Sequence, residues 1–321
     1  EHLEAGSIWI EGRGLSAPAD RVAITNGAQL GITATLMAVA RPGDLILCES
    51  LTYPGMTHIA TQLGLNLDAV AIDENGLIPE AFEEACRLRA PRALYCMPTL
   101  HNPTTATLSE ERRRAIARIA ETYDVMLIED DLWGRIMVDA PVPMSAYAPD
   151  RSFYITGLSK TLAPGLRIGY VLAPESYIGA LRRAVRMTTW MTPPLMAEIA
   201  RRWITDGTGD RLTEFHRVDS ERRSSLAVDY LKRGKLRFDP AAYHIWLELP
   251  EPWRASAFRQ EAEAQGVLLY TGDTFAVGRA PAPHAVRICT GAPETEEEMI
   301  RGLKILAKIL ADPRATGPSI V

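Results

Sequence analysis

The sequence predicts an α/β fold: a mostly parallel central sheet wrapped by helices, with a smaller C-terminal α+β domain. Three observations carry that reading. Short apolar runs alternate with amphipathic stretches through the first two thirds of the chain. Val125-Met126-Leu127-Ile128 is apolar without alternation, as a strand covered on both faces requires. From about Gly234 the pattern changes to short strands and single helices.

Each element has its local reason. Val22–Thr25 reads as a strand, and Asn26-Gly27-Ala28-Gln29 then opens a helix. Leu45–Cys48 is the next strand, followed by the Tyr53-Pro54-Gly55 loop, and Ala93–Met97 is followed by His101-Asn102-Pro103. Ser109 suits an N-cap, Glu110 and Glu111 suit a first turn, and Ile116, Ile119, Ala120 and Tyr123 mark one helical face. Asp130 and Asp131 end the strand Val125–Ile128, and Gly157-Leu158-Ser159-Lys160 follows the strand Ser152–Thr156. Residues Glu175 to Lys232 are helical in pattern. Then come a strand at His244–Leu249, a helix at Ala255–Ala264, and strands at Val267–Tyr270 and Ala285–Cys289. A final helix opens with Thr295 and Glu298 in capping-box spacing, and Met299, Leu303, Leu306 and Leu310 form its apolar stripe. The expected division is a large domain over 1–232 and a small one over 233–321.

Composition narrows the function classes. With 321 residues, 47% apolar and 23% charged, the chain can bury about three quarters of its unfolded surface, which excludes a disordered chain or a small disulfide scaffold. A net charge of −5 gives no general electrostatic reason for nucleic-acid binding, and no apolar run is long enough to span a bilayer. Cys48, Cys86, Cys96 and Cys289 lie far apart with no metal-ligand spacing, so a reduced, cytoplasmic setting is expected and no metal.

If the strands run parallel, five polar clusters gather along one carboxyl edge, where open α/β sheets bind ligands. Singly, each has a plain alternative. Gly27 can be a tight-turn residue or a phosphate cradle. Asp130-Asp131 can be a cap or a metal ligand, Asn102-Pro103 a turn, and Arg287 a snorkelling strand residue. Gly12-Arg13-Gly14-Leu15-Ser16-Ala17 matches a dinucleotide pattern, but Pro18 and the next strand leave no room for its crossover helix. Only five of the 35 basic residues are lysine, and Lys160 is the only one before Lys232. An amine can lose its proton where a guanidinium cannot.

The stretch Tyr154–Tyr170, YITGLSKTLAPGLRIGY, resembles the cofactor-lysine segment of fold-type I pyridoxal-5′-phosphate (PLP) enzymes, the aspartate aminotransferase superfamily. The resemblance covers essentially the whole chain in the family's order: TNGAQ at Thr25–Gln29, TYPG at Thr52–Gly55, HNPTT at His101–Thr105, IEDD at Ile128–Asp131 and VRIC at Val286–Cys289. It is closest to the aminotransferase-like domain of MocR-type GntR regulators, through LHNPTTATLSEERR and YHIWLELP, and to aminoadipate/kynurenine-type aminotransferases.

That resemblance implies roles. Lys160 would form the Schiff base and then carry protons, and Asp130 would keep the pyridine nitrogen protonated. Asn102 would hydrogen-bond the cofactor's phenolate oxygen, and Tyr53 would stack on the ring. Gly27, Ala28, Gln29, Ser159 and Arg167 would hold the phosphate, and Arg287 the substrate α-carboxylate. Three departures stand out. Gly157 replaces a phosphate-binding Ser or Thr, with Thr156 beside it; Trp133 replaces a tyrosine; and the N-terminal arm of relatives is expected to be missing. The resemblance implies a homodimeric transaminase exchanging an amine between an α-amino acid and a 2-oxo acid. The alternative it implies is a PLP- and effector-binding sensor whose DNA-binding domain lies outside this chain.

Overall fold

The computed structural model describes residues 1–311. The first part runs α1 (His2–Glu11), β1 (Val22–Thr25), α2 (Ala28–Val39), β2 (Leu45–Glu49), α3 (Pro54–Gln62) and β3 (Asn66–Val70). A small hairpin, β4 (Ile72–Asp73) and β5 (Gly76–Leu77), leads to α4 (Pro79–Arg89), β6 (Ala93–Cys96), α5 (Glu110–Thr122) and β7 (Met126–Asp130). Strands β8 (Ser152–Gly157) and β9 (Gly169–Leu172) complete a seven-stranded sheet of order β1-β9-β8-β7-β6-β2-β3.

Neighbours from β3 to β8 pair in parallel, whereas β9 runs antiparallel to both β8 and β1. The sheet is thus mostly parallel, as the strand–helix alternation predicts, with one reversed strand. Neither β3 nor β9 was expected from sequence. Successive strand residues serve opposite faces. Ile46, Tyr95 and Ile128 pack with Ile32 and Leu36 of α2, while Leu47, Leu94 and Leu127 pack with Phe82 of α4 and Ile116 of α5. Both faces being apolar explains why the central strands show no alternation.

The helical stretch that follows divides into α6 (Glu175–Thr189), α7 (Pro194–Thr205) and α8 (Thr208–Tyr230). The breaks fall at the paired Pro193 and Pro194 and at Gly207, whose φ of 78° is left-handed. Next come β10 (Lys235–Arg237), β11 (His244–Glu248), α9 (Ala255–Ala264), β12 (Tyr270–Thr271), β13 (Ala285–Cys289) and α10 (Glu296–Ala311). Four of these strands form a second, antiparallel sheet, β10-β11-β13-β12. It has its own core of Ile245, Leu247, Phe258, Val286 and the α10 stripe Met299, Leu303, Leu306 and Leu310. The strand expected over Val267–Tyr270 is shorter and later, because only Tyr270 and Thr271 pair with β13 and Leu268 faces solvent. Ser109 caps α5 by accepting from Arg112 N, and Thr295 accepts from Glu298 N. The expected small domain includes residues 312–321, which lie outside the described residues. No helix among the described residues is long and apolar enough to cross a membrane.

Candidate active site

Strand β7 ends in Glu129 and Asp130, and Asp131 follows it; all three acids are buried and each is placed differently. Glu129 and Asp131 share one face and Asp130 points to the other. Glu129 accepts from Ser145 N at 2.7 Å and lies 3.6 Å from the Arg113 guanidinium. Asp131 pairs with Arg13 Nε at 3.0 Å and accepts from the Tyr154 hydroxyl at 2.8 Å. Asp130 has no basic partner among the described residues. Its Oδ2 accepts from the Tyr95 hydroxyl at 2.7 Å, and its buried Oδ1 has no partner. Burial raises its pKa to about 7, opposed by the Tyr95 hydrogen bond and assisted by the neighbouring Asp131 charge.

The residues nominated from sequence are linked in a chain of neighbours: Tyr53 feels both Asp130 and Arg167, Lys160 feels Arg167 and Arg287, and Arg287 bonds Asn102. Gly27 immediately precedes α2 with φ 81°, and a Cβ there would stand 2.7 Å from Arg167 Nη2, so only glycine lets that guanidinium lie against the turn. Gly169, at the start of β9, abuts the backbone of Gly27 and Ala28 just as closely. Because β9 is reversed, its beginning meets the ends of the parallel strands, bringing Arg167 to the N-terminus of α2. Free N–H groups at such a terminus, with a guanidinium beside them, suit an anion.

Tyr53 folds back over Gly55, where a Cβ would fall 2.2 Å from the ring. Its hydroxyl donates to Gln29 Oε1 at 3.3 Å. Burial raises the Tyr53 pKa, Asp130 raises it further and Arg167 lowers it, so this ring lies within reach of both charges.

Lys160 follows β8 in a turn with Ser159 beside it. Its side chain reaches solvent, yet packing on its other sides lowers its pKa, aided by the Arg287 and Arg167 cations and opposed by Cys289. The Lys160 ammonium stands 5.5 Å from the centre of the Trp133 ring. Trp133 itself packs on His244, with ring centroids 5.7 Å apart.

Arg287 lies in β13 of the second sheet. It donates to Asn102 Oδ1 at 2.7 Å, its buried Nε has no partner, and no carboxylate pairs with it among the described residues. The rings of Tyr270 and Phe275 lie 5.0 and 5.1 Å from its guanidinium carbon. With Oδ1 engaged by Arg287, Asn102 keeps its amide donors for a ligand.

One departure from the resembled pattern, Gly157, has a local cause. A Cβ on Gly157 would stand 3.0 Å from Leu132 Cδ2, so a larger residue would crowd that contact. Thr156 directs its hydroxyl to the Asp131 carbonyl at 3.2 Å. Sequence reasoning did not single out Tyr95, Arg13, Glu49 or His244. Glu49 is buried beside His101, 4.0 Å from its Nε2, and burial raises its pKa to about 8. The Gly12-Arg13-Gly14 segment closes α1 and supplies the Asp131 counter-charge, a structural use.

Cavities of about 360, 500 and 270 Å³ lie elsewhere. The first is lined largely by apolar residues such as Leu3, Val185, Trp190 and Met191; the others sit around Glu74, Thr104 and Arg237. None includes Lys160 or Asp130, so convergent chemistry rather than cavity volume distinguishes the site. No group of three or more metal-binding side chains occurs among the described residues.

The chain is similar to known proteins in sequence and in fold. The chain is similar to the uncharacterized HTH-type transcriptional regulator YdeF of Bacillus subtilis, at 34% identity over 96% of this chain and 67% of that one. It is also similar to aromatic-amino-acid aminotransferase 1 of Thermococcus litoralis, at 26% identity over 90% of this chain and 72% of that one. The chain spans between 57% and 67% of the length of three Bacillus subtilis regulators that it matches. An archaeal alanine:glyoxylate aminotransferase shares the fold, with a TM-score of 0.88 at 23% identity over 97% of this chain and 80% of that one. The profile of aminotransferase class I and II matches residues 11–306, and the chain belongs to that family.

Proposed function

We propose that the Lys160 cluster binds pyridoxal 5′-phosphate and transfers an amino group between an α-amino acid and a 2-oxo acid. One observation carries the reading: Asp130 is buried, lacks a counter-cation and keeps Oδ1 free, whereas the acids on either side have arginine partners. Such a carboxylate suits a protonated ring nitrogen. The other residues fit the rest of the cofactor. Arg167 over Gly27 at the start of α2, with Ala28, Gln29 and Ser159, suits the phosphate, and Tyr53 and Asn102 suit the ring face and phenolate oxygen.

When bound, the cofactor supplies an aldehyde that captures amines and a ring that accepts electrons from Cα. The chain's residues do the remainder. Lys160, whose surroundings lower its pKa, supplies an amine that loses its proton more readily than an exposed lysine and would take a proton from Cα and return it. Arg287, anchored by Asn102 and lacking an internal anion, clamps the α-carboxylate and fixes which Cα bond faces the ring. Trp133 stands 5.5 Å from Lys160 Nζ and borders the amine on that side.

In this reading the division is a cofactor-holding unit over 1–232 and a substrate-clamping unit from 233 onward. A homodimer and a cytoplasmic setting belong to the same proposal, and four free cysteines support the latter. The similarity to regulators favours a second reading, a sensor that binds the cofactor and an amino-acid effector without turnover. Adding a mixture of amino acids to the PLP-loaded protein separates the two. Bleaching of the cofactor's absorbance, restored by a 2-oxo acid, is expected for a transaminase. Ligand binding with no bleaching by any amino acid overturns turnover and leaves the sensor.

A further inference from the structure

We infer that Tyr95 is a positioning residue for Asp130: its hydrogen bond fixes which carboxylate oxygen faces the ring nitrogen and favours the carboxylate form without bringing a counter-charge. The inference rests on the cofactor reading above.

The register shows how the two residues meet. Tyr95 pairs with Ile128 across β6 and β7, one step before Cys96 pairs with Glu129. Tyr95 therefore shares the face of Ile128 and Asp130, and its hydroxyl reaches Oδ2 diagonally at 2.7 Å. Both side chains are buried, so no water competes for that oxygen. With Oδ2 held, Oδ1 is the oxygen left to accept from a ligand.

The choice of donor matters. Glu129 and Asp131 are met by arginines, which cancel their charge. Tyr95 gives a hydrogen bond and no positive charge, so the full carboxylate charge stays available to a cationic ring. Burial, then the Asp130 charge, pushes the Tyr95 phenol well above its ordinary range, and it remains a donor at any working pH. The other groups acting on this pair are Glu49 from β2, Tyr53 before α3, Cys96, Asp131 and the Leu132 N–H.

The test measures PLP affinity against pH by fluorescence titration and, separately, the adduct fixed on Lys160 by borohydride. Affinity should fall on the acid side as Asp130 of the free protein gains a proton. Tyr95→Phe should move that limb upward by about one pH unit, the size of a lost hydrogen bond to a charged group. Tyr154→Phe removes an equally buried hydroxyl from Asp131 and should leave the limb in place. A near-isosteric probe guards against misfolding: 3-fluorotyrosine placed at position 95 is a stronger donor and should move the limb downward.

An unmoved limb in both position-95 variants, with the Lys160 adduct still formed, overturns the role of Tyr95 and leaves the cofactor reading intact. An equal shift in Tyr154→Phe overturns it too, since the effect would then be structural. Absence of any adduct in the unsubstituted protein instead defeats the cofactor reading on which the inference stands.

Discussion

Arg287 Nη1 donates to Asn102 Oδ1 at 2.7 Å, joining residues 185 positions apart and tying the small antiparallel sheet to the edge of the large one. The guanidinium is flanked by Tyr270 and Phe275 and has no carboxylate partner among the described residues. Arg287→Lys keeps a positive charge but loses the planar fork. Affinity for an α-amino acid, read by titrating the spectrum of the PLP-loaded protein, should fall by about ten- to a hundredfold. Cofactor affinity should change far less.

Lys160 differs from Lys232 and Lys235 in its surroundings. Lys232 and Lys235 are exposed and paired with Asp229 and Glu248, whereas Lys160 has cationic neighbours and a lowered pKa. Borohydride reduction followed by peptide mass mapping should place a pyridoxyl group on Lys160. Lys160→Ala should abolish that adduct, and Lys232→Ala or Lys235→Ala should leave it.

Gly27 tests the anion site by itself. Any side chain there meets Arg167 and must adopt a φ of 81°. Gly27→Ala should weaken PLP by about tenfold or more, about the loss of one charged hydrogen bond. Pyridoxal, which lacks the phosphate, should lose much less, so the ratio of the two dissociation constants is the diagnostic quantity.

Glu49 gives a stability prediction whose sign differs from that of most acids. Burial raises its pKa to about 8, against hydrogen bonds from Met97 N and Thr52. The folded state therefore holds a proton that the unfolded chain releases above roughly 4. Stability from this group is present at low pH and is lost as pH rises through about 8. Glu49→Gln keeps an acceptor for Met97 N and cannot ionise. Melting curves of the PLP-free variant should show a flatter decline between about pH 5 and 9, with a midpoint a few degrees higher at the alkaline end.

Much of the fold was legible because both faces of the large sheet are apolar. The runs at Val22, Leu45, Ala93 and Ser152 could be nothing but covered strands once helical patterns separated them. Strand β9 was less visible, since Gly169–Leu172 is short and follows a turn that reads as loop. The site residues were legible where chemistry is scarce, as at the solitary Lys160. They were illegible where partners come from afar. Asp130 and Asp131 look equivalent in sequence, and only Arg13, 118 residues away, separates the neutralised acid from the available one. Tyr95 left a single trace, the one hydroxyl in an otherwise apolar strand.

The three acids at and just beyond the end of β7 also set how this segment can change over generations. Sliding the strand by one residue, through a deletion or insertion before Ile128, exchanges the faces of every side chain beyond it. An arginine-matched acid would then take the position beside Tyr95, and the lone one would be stranded against guanidinium. Point replacements in this stretch can be graded in their harm, but a frame slip of the pleat inverts the site at a stroke. Length, more than composition, is what this segment must inherit unchanged.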